Sequence, residues 1–220
     1  MSGVPVIAID GPSASGKGTM AARLAATLGF QHLDSGALYR LAALWGAYHG
    51  LTAASPAADF APWARHLPVV FDGEQVLLDR QDVTDAIRTE ACGLEASRIS
   101  AHPELREALL QRQRDFRMAP GLVADGRDMG SVVFPDACLK VFLTASLEER
   151  TKRRFNQLIA KGNHVIMEDI FRDLFQRDER DRTREVAPLD ARGYRLLDTT
   201  ALSPDQVVEI LLVWSRQALG

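Results

Sequence analysis

The nine residues Gly11 to Thr19, GPSASGKGT, constrain this chain more than any other feature, because of what stands on either side of them. Val4 to Asp10 (VPVIAID) is a short apolar run that ends in a Gly-Pro turn, the pattern of a buried parallel strand. Lys17 to Leu28 has apolar residues at helical spacing and is stopped by Gly29, a natural C-terminal glycine. Between strand and helix, Gly11 and Gly16 let successive backbone N–H groups turn inward around an anion, and the helix N-terminus adds its dipole. Lys17 supplies a point charge for the β and γ phosphates of a nucleoside triphosphate. Gly11, Pro12, Ser13, Ala14, Ser15, Gly16, Lys17, Gly18 and Thr19 are therefore the candidate triphosphate contacts. Gly18 follows the lysine and displaces the hydroxyl to Thr19, which weakens the expectation that a loop hydroxyl holds Mg²⁺ directly.

The remaining elements predict an α/β fold. A brief strand at Phe30–Asp34 leads to a helix over about 36–48, closed by Gly50, and a further helix over Pro56–His66. The texture then changes: Leu67–Phe71, a turn at Asp72-Gly73 and Gln75–Leu78 read as a hairpin, with Gln81–Val83 as a third strand. Helices follow over Glu90–Ser100 and Pro103–Met118, then core strands at Leu122–Asp125 and Leu139–Leu143. Ser146–Lys161 opens with Ser146 and Glu149 in capping-box positions, and Met167–Arg180 runs into a charged stretch. Arg195–Asp198 is the last strand and Pro204–Leu219 the last helix, capped by Ser203. Strands alternating with helices point to a parallel sheet flanked by helices, and the antiparallel insert calls for a separate task.

Composition excludes several function classes. The net charge of −3 gives no global basic field to gather long nucleic acid, so anionic substrates must meet local Lys and Arg clusters. Cys92 and Cys138 are far apart and have neither metal nor redox spacing, and His32, His49, His66, His102 and His164 are scattered as surface or packing residues. No apolar run approaches the ~18 residues of a membrane span, and Met1-Ser2-Gly3 has no charged leader; a cytoplasmic, monomeric protein without a membrane partner is expected.

Phosphoryl transfer brings two polyanions within bonding distance, so the chemistry asks for arginines, Mg²⁺ and parts that close over the site. Three segments offer them. In DSGALYR (Asp34–Arg40), Ser35 and Arg40 are placed for an acceptor phosphate or base, against the plainer reading of a helix cap with a surface arginine. In ADGRDMGSVVFP (Ala124–Pro135), Asp125 ends a strand at the nucleotide crevice, placed to order metal-bound water, with Arg127 and Asp128 just beyond. In RDERDRTREVAPL (Arg177–Leu189), Arg177, Arg180 and Arg184 share a face if the helix continues; beside a phosphate loop a lid is favoured over a solvated face.

The GKGT ending resembles nucleoside monophosphate kinases, and these segments in this order, with DVTDAIRTEA (Asp82–Ala91) and LREALLQRQRDF (Leu105–Phe116), resemble the bacterial cytidylate kinase family over nearly the whole chain. Ser131 stands where many relatives have Thr. The resemblance implies transfer from ATP to CMP or dCMP with Mg²⁺. It also implies a core (1–50, 101–155, 190–220), a CMP-binding insert (51–100) and a mobile lid (156–189). Carried over by position, Ser97, Arg106 and Asp128 would read cytosine, and Arg40 and Arg127 would hold the CMP phosphate. Asp181 and Arg177 would reach the sugar, and Arg184, with Arg153 and Arg154, would act on the phosphates in transfer. A kinase for UMP is the nearest alternative, opposed by Asp128 and the insert. A P-loop regulator or GTPase switch is the other; it lacks an NKxD motif, and the one DxxG string, Asp190–Gly193, falls after the arginine run.

Overall fold

The computed structural model describes residues 3–72 and 75–220; Gly73 of the expected hairpin turn lies outside the described residues. The chain forms two compact units, Met1–Leu33 with Phe116–Gly220, and Asp34–Asp115.

The first unit is built on a five-stranded sheet in the order β2-β6-β1-β7-β8, from β1 (Val6–Asp10), β2 (Gln31–Asp34), β6 (Leu122–Gly126), β7 (Leu139–Thr144) and β8 (Arg195–Asp198). β1 pairs parallel with β6 and β7, and β7 with β8. Every residue of β1 and β6 is buried, as central strands covered on both faces require. Ile7, Ile9, Val123, Val141, Leu143 and Leu197 fill the sheet side of the core, and α1 (Lys17–Leu28) and α8 (Pro204–Leu219) close it with Leu24, Val208 and Leu211. The chain leaves β1 between β6 and β7, which puts the phosphate loop at the strands' carboxyl ends. Register places Ile9 beside Asp125 and Asp10 beside Gly126, so both strands deliver polar residues to that edge.

α6 (Leu147–Ala160) and α7 (Met167–Thr183) pack through Leu158, Ile170 and Leu174, and Ala14 of the phosphate loop joins this apolar cluster. The capping box expected on α6 is half formed. Ser146 Oγ accepts from the Glu149 N–H, but the Glu149 carboxylate is taken by Arg153 and the Ser146 N–H donates to Thr200 Oγ1. α8 forms both halves, with Ser203 and Gln206. α7 runs three residues beyond the expected end, and Arg184 then turns extended as its cap.

The second unit contains α2 (Ser35–Tyr48), α3 (Ala57–Ala64), α4 (Glu90–Ile99) and α5 (Pro103–Arg114), together with an antiparallel sheet β3-β4-β5 (Val69–Asp72, Gln75–Leu78, Gln81–Asp82). α5 stops at Arg114, short of the expected Met118. Among the described residues no helix is long and apolar enough to cross a membrane.

Candidate active site

The loop from Gly11 to Thr19 has the geometry its glycines require. Gly11 (φ 155°) lies so close to the Leu143 carbonyl that a Cβ would collide with its oxygen, and Gly16 (φ 89°) is the left-handed N-cap of α1. Ser13 and Ser15 are buried, and Ser15 Oγ has no hydrogen-bond partner among the described residues. Lys17 Nζ donates to the Pro12 carbonyl at 3.3 Å, so its charge sits back over the loop. The loop is propped from α6: Arg150, buried, donates to the carbonyls of Ser13 (3.1 Å) and Ala145 (3.0 Å) and to Asp178 on α7 (2.6 Å). Arg153 holds the Ser15 and Thr199 carbonyls at 3.4 and 2.6 Å.

The segment after β6 meets the same loop. Arg127 donates to Ser13 Oγ at 2.7 Å and to Asp181 Oδ2 at 2.6 Å, linking the phosphate loop to α7. Burial pushes the Asp181 carboxyl up, but the Arg127 guanidinium, by charge and hydrogen bond, then Arg184 and Arg177, hold it below the usual carboxylate range. The same pairing, working against burial, raises the Arg127 guanidinium. Arg127, from the segment after β6, is thus brought to Asp181 of the Arg177–Leu189 run, whose Arg177 and Arg184 lie about one turn to either side. Arg177, Arg180 and Arg184 are half-buried rather than a solvated face, and Arg184 Nε donates to the Ala187 carbonyl as the chain folds back from α7.

Asp125, 3% exposed, lies beside the start of α1: a Cβ on Gly18 would be 3.6 Å from its Oδ1. His32, one of the histidines expected at the surface or in packing, donates from Nε2 to Asp125 Oδ2 at 2.9 Å. Asp128 is buried one residue past Arg127, where the chain enters a π-helical turn over Met129–Val133 that periodicity did not announce.

In the second unit Ser35 is buried directly after Asp34, whose carboxylate caps α2. Arg40 donates to the Ile87 carbonyl at 2.7 Å, and a Cβ on Gly93 would come within 2.9 Å of its guanidinium, so α4 lies against it. Ser97 is one turn further along that face of α4. Arg106 is buried, donates to the Ser100 carbonyl and covers the Tyr39 ring at 5.9 Å.

Sequence reasoning passed over Asp10, Arg150, Asp178 and Tyr194. Asp10 carried a signal, an ionisable residue closing an otherwise apolar strand; Arg150 and Asp178 looked like ordinary charges on amphipathic helices.

A parallel sheet whose first strand runs into this glycine-rich loop, with a lysine opening the next helix and arginines gathered on the loop, defines a P-loop kinase fold. A model of the cytidylate kinase family matches residues 7–217. The cytidylate kinase of Polynucleobacter asymbioticus is 53% identical over 221 residues, covering 100% of both chains. That of Paraburkholderia phymatum is 56% identical over 213 residues, 96% of this chain and 93% of its own. The chain belongs to the cytidylate kinase family. Among solved structures, an uncharacterized protein from Eubacterium ventriosum is similar in fold alone, with a TM-score of 0.50 at 14% identity over 96% of this chain and 97% of that one.

Proposed function

We propose that the protein transfers the γ-phosphoryl group of ATP to CMP or dCMP, giving ADP and CDP or dCDP. The observation that carries this reading is Arg127, gripped between Ser13 of the phosphate loop and Asp181 of α7, with Arg177 and Arg184 around the same carboxylate. Family membership supports it independently.

An acceptor phosphate oxygen is already ionised near pH 7 (second pKa about 6), so no strong base is needed. That oxygen attacks the γ phosphorus, the bond to the β-bridging oxygen breaks, and ADP leaves with the electron pair. The residues' task is electrostatic and positional. The loop amides and Lys17 hold the ATP phosphates, and Ser15 Oγ, buried without a partner among the described residues, suits a phosphate oxygen. Arg184, with Arg153 and Arg154, serves the transferred phosphates, and Arg127 and Arg40 the CMP phosphate. Arg177 and Asp181 serve the sugar; for Arg127 and Asp181 this means exchanging each other for substrate. Ser97, Arg106 and Asp128 read the base: cytosine presents an amino donor and a ring acceptor, matching a carboxylate and an arginine or serine, and uracil reverses both.

A divalent cation fits the donor set. Asp125 is a buried carboxylate beside the start of α1, and no cluster of three or more His, Cys, Asp or Glu stands among the described residues. That suits Mg²⁺ held mainly by phosphates and water, with Asp125 orienting the water. When bound, Mg²⁺ would neutralise charge on the phosphates. The insert 51–100 would carry acceptor recognition and 156–189 would act as the lid, with 1–50, 101–155 and 190–220 as the core.

A coupled ADP-release assay with CMP, dCMP, UMP, AMP and dTMP tests the reading. CMP and dCMP should give the highest kcat/KM. Equal or better use of UMP would move the assignment to another acceptor, and ATP binding without turnover on any acceptor would leave a nucleotide-binding regulator.

A further inference from the structure

Asp10 ends β1 with a carboxyl group that is 0% exposed, and phosphoryl transfer as proposed above gives it no task. Burying a carboxylate among apolar strands is unfavourable unless its lone pairs are filled. Here they are filled from two other segments. Oδ1 accepts from the Met129 N–H at 2.9 Å, and Oδ2 accepts from the Gly130 N–H at 2.9 Å and from the Tyr194 hydroxyl at 2.7 Å. The two amides are those that immediately follow Arg127 and Asp128, so one side chain sets both peptide planes on the exit side of that pair. Asp128 itself has φ −151° and ψ 23°, outside the regular helical and strand regions, and the turn over Met129–Val133 starts at the gripped amides.

The third donor is held as tightly. The Tyr194 ring meets Phe142 edge-on with centroids 6.2 Å apart. Gly130 leaves room for this contact, because a Cβ there would lie 2.9 Å from Tyr194 Oη and 3.1 Å from Lys140 Cδ and would displace one or the other. A strand end that had only to pack would be served by another apolar residue, as at Ile7 and Ile9.

We infer that Asp10 is a positioning residue for the acceptor: through the Met129 and Gly130 amides, and with Tyr194 as its third partner, it holds Arg127 and Asp128 in the attitude that reads the monophosphate. The inference rests on the proposed function in assigning Arg127 and Asp128 to that substrate. Its reach is limited to that side, since Lys17 and the props from Arg150 and Arg153 hold the loop without Asp10.

The test uses Asp10→Asn and Tyr194→Phe in the full chain. Asparagine keeps one acceptor oxygen and turns an amide donor towards a donor; phenylalanine removes one hydrogen bond and keeps the ring. For each variant, KM and kcat are measured for CMP, UMP and ATP, with hydrogen exchange over 126–133. The expected result for Asp10→Asn is a rise in KM for CMP of roughly tenfold or more, the scale of one charge-assisted hydrogen bond. The CMP-over-UMP preference should narrow, KM for ATP should stay within about twofold, and exchange at 129–130 should speed up. Tyr194→Phe should show the same pattern more weakly, and it decides the matter if Asp10→Asn does not fold. Unchanged CMP constants, or CMP and ATP constants worsening together, would overturn the inference in favour of a purely structural carboxylate. Should the wild-type protein not use CMP at all, the functional reading falls and the acceptor role falls with it, whereas wild-type use of CMP with unchanged variant constants overturns the positioning role alone.

Discussion

Lys17 is half-buried, and its Nζ donates to the Pro12 carbonyl of the phosphate loop, so its charge serves the loop and not the core. Lys17→Ala should therefore fold normally and lose about 10²–10³ in kcat, the usual consequence of removing one transition-state charge contact. A folded variant keeping more than half its activity would remove the phosphate loop from the mechanism. Asp128→Asn tests the base-reading group. An ionised carboxylate only accepts, whereas an amide can present either face, so kcat/KM for CMP should fall and the CMP-over-UMP preference should narrow by about 1–3 kcal/mol. Measured at saturating ATP, equal losses for both acceptors would mean that Asp128 organises the loop rather than the base. These residues stood out in the sequence because their motifs are local. Asp10 and Tyr194, 184 positions apart, did not, because nothing local shows that they touch.

At the scale of elements, α7 is the piece whose behaviour matters most. Two carboxylates one turn apart, Asp178 and Asp181, tie it to Arg150 and Arg127, and each of those arginines also touches Ser13. The helix is thereby bound to the phosphate loop by charge, and Ile170 and Leu174 belong to the apolar cluster that Ala14 of the loop joins. Arg150→Met should remove the link to the Ser13 carbonyl and leave Asp178 without its cation, destabilising by about 3 kcal/mol as broken buried pairs do. A fall in the denaturant midpoint at constant m checks this. If 156–189 is a lid, hydrogen exchange across α7 should slow with ATP and CMP bound together; equal exchange at confirmed saturation would return the segment to a fixed structural role. Helix α7 was legible from its periodicity, but its true end was not, because the charged turn from Arg177 to Thr183 draws on Arg127 and Arg150 from other segments as well as on its own Arg182–Glu179 pair.

For the molecule as a whole, two buried carboxylates act on stability in opposite directions as pH changes. Burial pushes Asp10 up to about 6, against its three hydrogen bonds and with a further push from Asp128. A raised carboxyl contributes stability that is fully present below its unfolded value of about 3.9 and is lost as pH rises through the folded value. Between pH 4 and 7 that change is roughly 3 kcal/mol. The wild-type advantage over Asp10→Asn in chemical denaturation should thus be larger at pH 4.5 than at pH 7.5; a flat difference would mean that Asp10 does not titrate in this window. Asp181, held low by Arg127, gives the reverse: its contribution is present above about pH 4 and disappears as pH falls through its depressed folded value. Wild type and Asp181→Asn should therefore converge under acid.

The sequence by itself determined the α/β class, the phosphate loop, most helix and strand positions, and the family. The first three rest on spacing within a short stretch: glycines at required backbone angles, apolar periods of two or 3.6, a cap one residue before its helix; the family rests on the resemblance of several segments, in order, over nearly the whole chain. Only the tertiary structure decided that Arg127 reaches Asp181, that His32 meets Asp125, and that Asp10 grips the amides after Asp128. The physical reason is range. Backbone preference and amphipathicity act over a few residues, whereas a buried charge takes whatever partner the packing of distant strands and helices brings within about 3 Å.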